Sequence, residues 1–434
     1  MRSLLLLSVV CLTSAVQPLR AQESSPAPSA TPIVAPYPAD ADAATATRAW
    51  LNTVPAEQHA KSDAYFEGGY WLILWNLILG AAIALLLLNL RISARMRDFA
   101  ERTTRFKALQ VAIYGIIYVL LVALLESPLN IYEHYFREHA YGLSNQTFGA
   151  WLGEQGKGLI VMLIAISVLL ALLYTVFRRA PRTWWIWGTA VMVAFLIFGA
   201  FIAPVFVEPL FNKYKPLTDA NISEPILAMA RANEIPVTQV FEVDASRQSK
   251  RISANVAGVF GTTRIALNDN LLKQCSVPEI RAVMAHEMGH FVLNHIYKFV
   301  IMISLVWLIS FAIARRAFEA AVRRWGDRWQ VRGIADPAGL PLLALIAAVL
   351  GFLATPITNT IIRVQEREAD AFGLNTAREP DAMSVVALKL GTYRKLDPGP
   401  WEEAIFFDHP SGRARIRMSM DWKAAHLPAG EETR

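Results

Sequence analysis

Charge is scarce along this chain of 434 residues: Asp, Glu, Lys and Arg together supply 18% of it, against 54% hydrophobic residues. A soluble domain carries roughly a quarter of its residues charged, so that class is excluded. The surplus of base over acid, +6, does not point to nucleic acid, because the arginines gather at the ends of apolar runs as they do in membrane proteins. No nucleic-acid partner is expected. There are only 2 cysteines, Cys11 and Cys275, and Cys11 lies in the first apolar stretch. Processing of that stretch leaves one, which excludes an intrachain disulfide and a cysteine-rich metal site. Internal repeats and phosphate-binding glycine loops are absent too, which removes repeat scaffolds and P-loop enzymes.

What the chain does have is long apolar runs. Residues 1–22, with Arg2, an apolar core and Ala21, read as a secretory signal peptide or an uncleaved anchor. Residues 23–66 are rich in Ala, Pro and Ser and are expected to form a loosely ordered extracytoplasmic segment. Six apolar segments follow, at about 70–90, 109–125, 159–177, 184–207, 297–314 and 340–358. Each is near the roughly 20 residues that cross a bilayer. Four of them make a membrane region over 67–207 and two make a second over 297–358.

Basic residues crowd the loops 91–107, 178–182 and 315–332. Loops of that kind stay in the cytoplasm, so all three are placed there. The extracytoplasmic side then holds 126–158, 208–296 and the C-terminal region 359–434. An integral protein of a bacterial inner membrane is expected, in contact with membrane lipid. The sequence carries no signal for its oligomeric state.

The region 208–296 has a helical pattern over 222–234, then β-branched strands at 238–243 and 262–268. It ends in SVPEIRAVMAHEMGHFVLNHIYKF. Ser276 with Glu279 forms a capping box, and Pro278 suits a first helical turn. On the helix that follows, His286 and His290 return to one face and can share one metal ion. Glu287 sits about 100° round, within reach of a water in an open coordination position. A zinc-bound water beside a carboxylate base is a nucleophile at neutral pH, so the chemistry implied is amide hydrolysis. The strand just ahead of this helix is expected to offer an edge that holds extended substrate by backbone pairing. His295, nine residues after His286, falls on the opposite side of a continuous helix and reads as a hinge or surface histidine.

A second helical stretch, TNTIIRVQEREADAFG, follows the last apolar segment. Glu366 and Asp370 share one of its faces, and Arg363 lies one turn before them. Glu366 completes a His2Glu set with one position open. Asp370 is placed to accept the second ring N–H of a ligand histidine, with Arg363 nearby. Glu368, about 200° from Glu366, is expected to face solvent. His409 and Arg415 lie in the C-terminal region, and residues of these types can stabilise an oxyanion.

These residues reach a family. The chain resembles the integral-membrane zinc CAAX prenyl proteases and, more distantly, the bacterial heat-shock membrane proteases. The matching pieces are PVFVEPLFNKYKPL at 204–217, GTTRIALNDNLL at 261–272, HEMGHFVLNH at 286–295, RVQEREADAFG at 363–373 and HPSGRARI at 409–416. The resemblance implies a mainly α, polytopic membrane protein. Its transmembrane helices would form a barrel around a water-filled chamber, with an inserted α+β catalytic domain of the zincin-like (gluzincin) type. It also implies one Zn2+ per chain on His286, His290 and Glu366, with Glu287 as base and His409 and Arg415 assisting at the oxyanion or substrate. The partner is then a peptide or protein, with lipidation open. Two departures stand out. Asn255-Val256 replaces the Asn-Ala frequent at the edge strand, and HPS replaces HPP. The eukaryotic relatives face away from the extracellular side, so the resemblance favours a cytoplasmic site where the loop charges favour an extracytoplasmic one. Two rival readings remain: a quality-control protease for misfolded or lipidated proteins, and a transporter or scaffold with a degenerate zinc site.

Overall fold

The structure, a computed structural model, describes residues 33–258 and 263–427. The expected leader 1–22 and Cys11 lie outside them. Helix α1 (Ala43–Asn52) is capped by Asp42, whose carboxylate accepts the Thr45 N–H at 2.7 Å. The expectation of a loose segment over 23–66 is corrected for 43–66, and residues 23–32 lie outside the described ones. Ala46 and Trp50 of α1 are buried with Ile416 and Met420, and α2 has already begun at Ala56. Alanine is the strongest helix former, and one tryptophan supplies the anchor that such a short helix needs.

Five helices follow: α2 (Ala56–Asn89), α3 (Ile92–Thr103), α4 (Lys107–Ala140), α5 (Phe148–Arg179) and α6 (Trp184–Leu210). A strand-bearing region comes next, with β1 (Tyr214–Pro216), α7 (Ala220–Ala232), β2 (Val240–Val243), β3 (Ala254–Ala257), β4 (Arg264–Asn268), α8 (Asp269–Gln274) and α9 (Val277–Val292). The chain ends with α10 (His295–Trp329), α11 (Leu340–Ala377), α12 (Pro380–Leu390), α13 (Pro400–Phe406) and α14 (Gly412–His426).

Among the described residues, six helices are long and apolar enough to cross a bilayer: α2, α4, α5, α6, α10 and α11. They coincide with the six expected segments and run further at one end or both. Each packs on the next along the chain, and α11 packs back on α2, which closes a ring. Only 6% to 28% of each helix's most apolar stretch is buried. A solid bundle buries an inner stripe on every helix. Walls with lipid on one side and space on the other bury little, so the ring encloses a chamber.

One end of the ring is plugged. Tyr114, Tyr174, Phe177 and Trp184 are fully buried there with Leu170 and Met192. The nearly sealed pair Arg97–Asp336, at 2.8 Å, ties α3 to the start of α11. The three basic loops meet at this end: Arg91 donates to the Arg328 carbonyl, Arg332 pairs with Glu101, and Arg315 donates to the Arg182 carbonyl. Their shared side, read from charge alone, is therefore a feature of the fold. At the other end, the loop after α4 pairs with the strand-bearing region, Asn145 N–H to Gln248 O at 3.0 Å and Lys250 N–H to Leu143 O at 3.1 Å.

The sheet has the order β1-β2-β4-β3, with β2 and β4 parallel and both outer pairs antiparallel. Ile265 and Leu267 of β4 are fully buried with Ile226 of α7 and Met284 and Met288 of α9. This placement corrects one expectation. β4, the strand just ahead of α9, is internal and has no free edge. The edge beside α9 is β3, paired only through Asn255 with Ala266 and its neighbours.

Candidate active site

Helix α9 starts where expected, with the Ser276–Glu279 capping box formed and Pro278 in the first turn. Such a cap stabilises a helix by about 1 kcal/mol, which fixes where the motif's turns fall. α9 and α11 then approach until side chains no longer fit between them. A Cβ on Gly373 would lie 3.1 Å from the His286 nitrogen, and one on Gly289 would lie 3.2 Å from the Ala369 Cα. Glycine at both positions is what allows the contact.

That contact brings together residues eighty positions apart. His290 Nε2 lies 3.2 Å from His286 Nε2 and 3.5 Å from Glu366 Oε1, and His286 Nε2 lies 3.4 Å from Glu366 Oε2. Ligand atoms of these three side chains all fall within 4.8 Å of one another. Two imidazoles and a carboxylate at that spacing fit a tetrahedral divalent ion with a fourth position left over.

Behind the triangle, His286 Nδ1 is 2.8 Å from Asp370 Oδ1, as the shared helical face of Glu366 and Asp370 anticipates. Asp370 is 1% exposed, and Arg415 Nε pairs with its other oxygen at 3.0 Å. Arg415 also holds Glu366 Oε2 at 3.0 Å. A buried carboxylate without such a partner costs about 3–5 kcal/mol, so Arg415 is what lets two acids stand side by side here. His409 Nε2 is 3.3 Å from Glu366 Oε1, and its Nδ1 is steadied by Asp408 at 2.8 Å. α1 supports this arrangement from outside by packing on α14, which carries Arg415.

The titration of the motif fits the geometry. Burial, and then His286, holds His290 down to about 4, so it stands neutral and ready to bind a cation. Burial opposes a charge on His286, yet the bonds to Asp370 and Glu366 outweigh it and push the ring up to about 10. A spot that favours a proton this strongly favours a metal ion for the same reason. Burial pushes Glu287 up to about 7, against the pull of His286. That value suits a group that must take a proton and give it back near neutrality.

Two sequence expectations change. Arg363 does not stand behind the ligands. It donates to the carbonyls of Glu403 and Phe407 and so braces the segment leading to His409. His295 is 3% exposed, not a surface residue, and its Nδ1 lies 2.9 Å from His290 Nδ1. Glu368 faces solvent as expected, and there it pairs with His295 and Lys298. A continuous helix would have put His295 opposite His290. The chain instead breaks at Asn294, which sits in the left-handed region at φ 58°, and starts a new helix. Asn after a helical run is the one local signal of that break.

Residues 216–422 match the profile of peptidase family M48, and residues 43–213 match that of the CAAX prenyl protease N-terminal region, described as five membrane helices. Over those residues this chain has four membrane-length helices, and its last two follow the sheet. The metalloprotease YhfN of Bacillus subtilis, itself uncharacterised, is 29% identical over 75% of this chain and 77% of its own. CAAX prenyl protease 1 of Saccharomyces cerevisiae is 26% identical over 68% of this chain and 69% of its own. The crystal structure of S. mikatae Ste24p superposes with a TM-score of 0.70 at 23% identity, covering 85% of this chain and 90% of that one. Fold, sequence profile and donor geometry agree: the chain belongs to peptidase family M48 and is a membrane metalloprotease.

Proposed function

We propose that this protein is a zinc endopeptidase in which His286, His290 and Glu366 hold one ion. The donor triangle at one end of the helix ring is the observation that carries the reading. Zinc bound there would supply Lewis acidity to the scissile carbonyl and acidify a water. Glu287 takes that water's proton and returns it to the leaving amine. His409, beside Glu366 and outside the ligand triangle, is the group placed to donate to the developing oxyanion. Arg415 is a positioning residue, because its guanidinium is occupied by Glu366 and Asp370. β3, the free edge beside α9, offers backbone groups to an extended chain.

The substrate is a peptide or protein, and a lipidated chain suits a chamber whose wall is apolar helix. Regions 208–296 and 359–434 act as one catalytic unit, with 67–207 and 297–358 as the wall. The catalytic side is extracytoplasmic, on the charge of the three loops gathered at the other end. A transporter with a degenerate site is disfavoured, since ligands, base and bracing groups are all present. A full-chain preparation should contain about one zinc per chain and cleave a lipidated reporter peptide in a chelator-sensitive way. Ala in place of His286, His290 or Glu366 should empty the site. Full zinc content in all three variants would refute the assignment.

A further inference from the structure

We propose that His295 is a positioning residue for the metal site: it accepts the Nδ1 proton of His290 and anchors that bond to Glu368, so that His290 presents a bare Nε2 to the ion. The proposal rests on His290 being a ligand.

The backbone break at Asn294 makes the contact possible. α9 stops, Asn294 turns at positive φ, and His295 opens α10 with its ring edge-on to that of His290, centroids 5.0 Å apart at 73°. The two Nδ1 atoms are 2.9 Å apart, so one proton lies between them. His290 Nε2 faces His286 and Glu366, on the metal side. A ligand nitrogen must be bare, which places the His290 proton on Nδ1, donating to His295. The proton of His295 is then on Nε2, where it donates to Glu368 Oε2 at 3.0 Å. Lys298, one turn along α10, pairs with the same oxygen at 2.7 Å and favours Glu368 as an ionised acceptor.

One set of tautomers therefore satisfies every bond in the chain from Glu368 to the metal position. His295 is 3% exposed, and both of its ring nitrogens are used. A buried imidazole with both nitrogens aligned this way is a built relay, because unpaired buried polar atoms are costly. Each ligand imidazole is thus backed by a carboxylate. For His286 the acid is in direct contact and sealed. For His290 it acts through a second imidazole and lies at the surface.

The surface position makes the test clean. Apparent zinc affinity is measured on the full chain in detergent by competition with a chromogenic chelator, with thermal melting in parallel. His295→Leu should weaken binding about 10- to 100-fold, and His295→Gln, which keeps an acceptor, should recover part of it. Glu368→Ala removes a half-exposed side chain and should weaken binding by less, in the same direction, with unchanged melting. The double variant should bind no more weakly than His295→Leu alone, since the two act in series. Parental affinity in Glu368→Ala, or losses that multiply in the double variant, would overturn the relay. If His295→Leu fails to fold, the Glu368→Ala arm still decides. A His290→Ala variant that keeps its zinc would instead sink the ligand assignment beneath it.

Discussion

Gly373→Ala adds one methyl group where α9 and α11 leave no room for it. The new Cβ would stand 3.1 Å from the His286 nitrogen, 3.2 Å from its Cα and 3.5 Å from the Ala285 carbonyl carbon. All three are backbone atoms of the motif helix, so no rotamer change relieves the contact. The helices must part by a few tenths of an ångström. Overpacking of this kind costs about 1–3 kcal/mol of stability. The effect on the metal should be larger in relative terms. Glu366 lies two turns earlier on the helix that moves, and metal–ligand distances tolerate only about 0.2 Å. Zinc affinity should fall about 10- to 100-fold, as when a group that orients a ligand is lost. Chelator competition on the purified protein reads this, with Gly156→Ala as control. A Cβ at Gly156 meets nothing within 4 Å, so that variant should bind like the parent. Parental affinity in Gly373→Ala would refute the view that helix contact sets the ligand geometry.

Two other outcomes test separate parts of the reading. Glu287→Gln should keep its zinc, because Glu287 is not a ligand, and lose about 10² to 10⁴ in turnover. Near-parental hydrolysis by that variant would remove Glu287 as the base. For orientation, a reporter active only outside the cytoplasm should be active when fused after Arg434 and silent when fused at Arg324. The reverse pattern would place the site in the cytoplasm and show that the loop charges were overridden.

Some of this architecture is decided by local patterns that sequence alone displays. Six long apolar runs must become helices, because lipid offers no partner to an open backbone. The spacing of His286, Glu287 and His290 puts two proposed ligands and the proposed base on a single helix, and the spacing of Glu366 and Asp370 does the same for the third proposed ligand and its brace. The capping box names the first turn of α9 for the same reason: its partners are three residues apart. The basic loops share one end because charge resists crossing a membrane whatever the fold.

Tertiary structure decides what depends on distant residues or on a break in regularity. Nothing in the string says that α11 returns to α2 and closes a ring, since that contact joins opposite ends of the chain. β4 is as apolar as a strand can be in either position, and only pairing on both sides makes it internal and leaves β3 as the edge. The Ala-rich start of the described chain looks unstructured until Trp50 finds its place beside Ile416. His295 is the sharpest case. Helical periodicity, the rule that paired His286 with His290 and Glu366 with Asp370, carries it to the wrong side, because one residue at positive φ cancels the phase between α9 and α10. Periodic signals survive in a sequence as long as the backbone stays regular, and a single left-handed residue is enough to erase them.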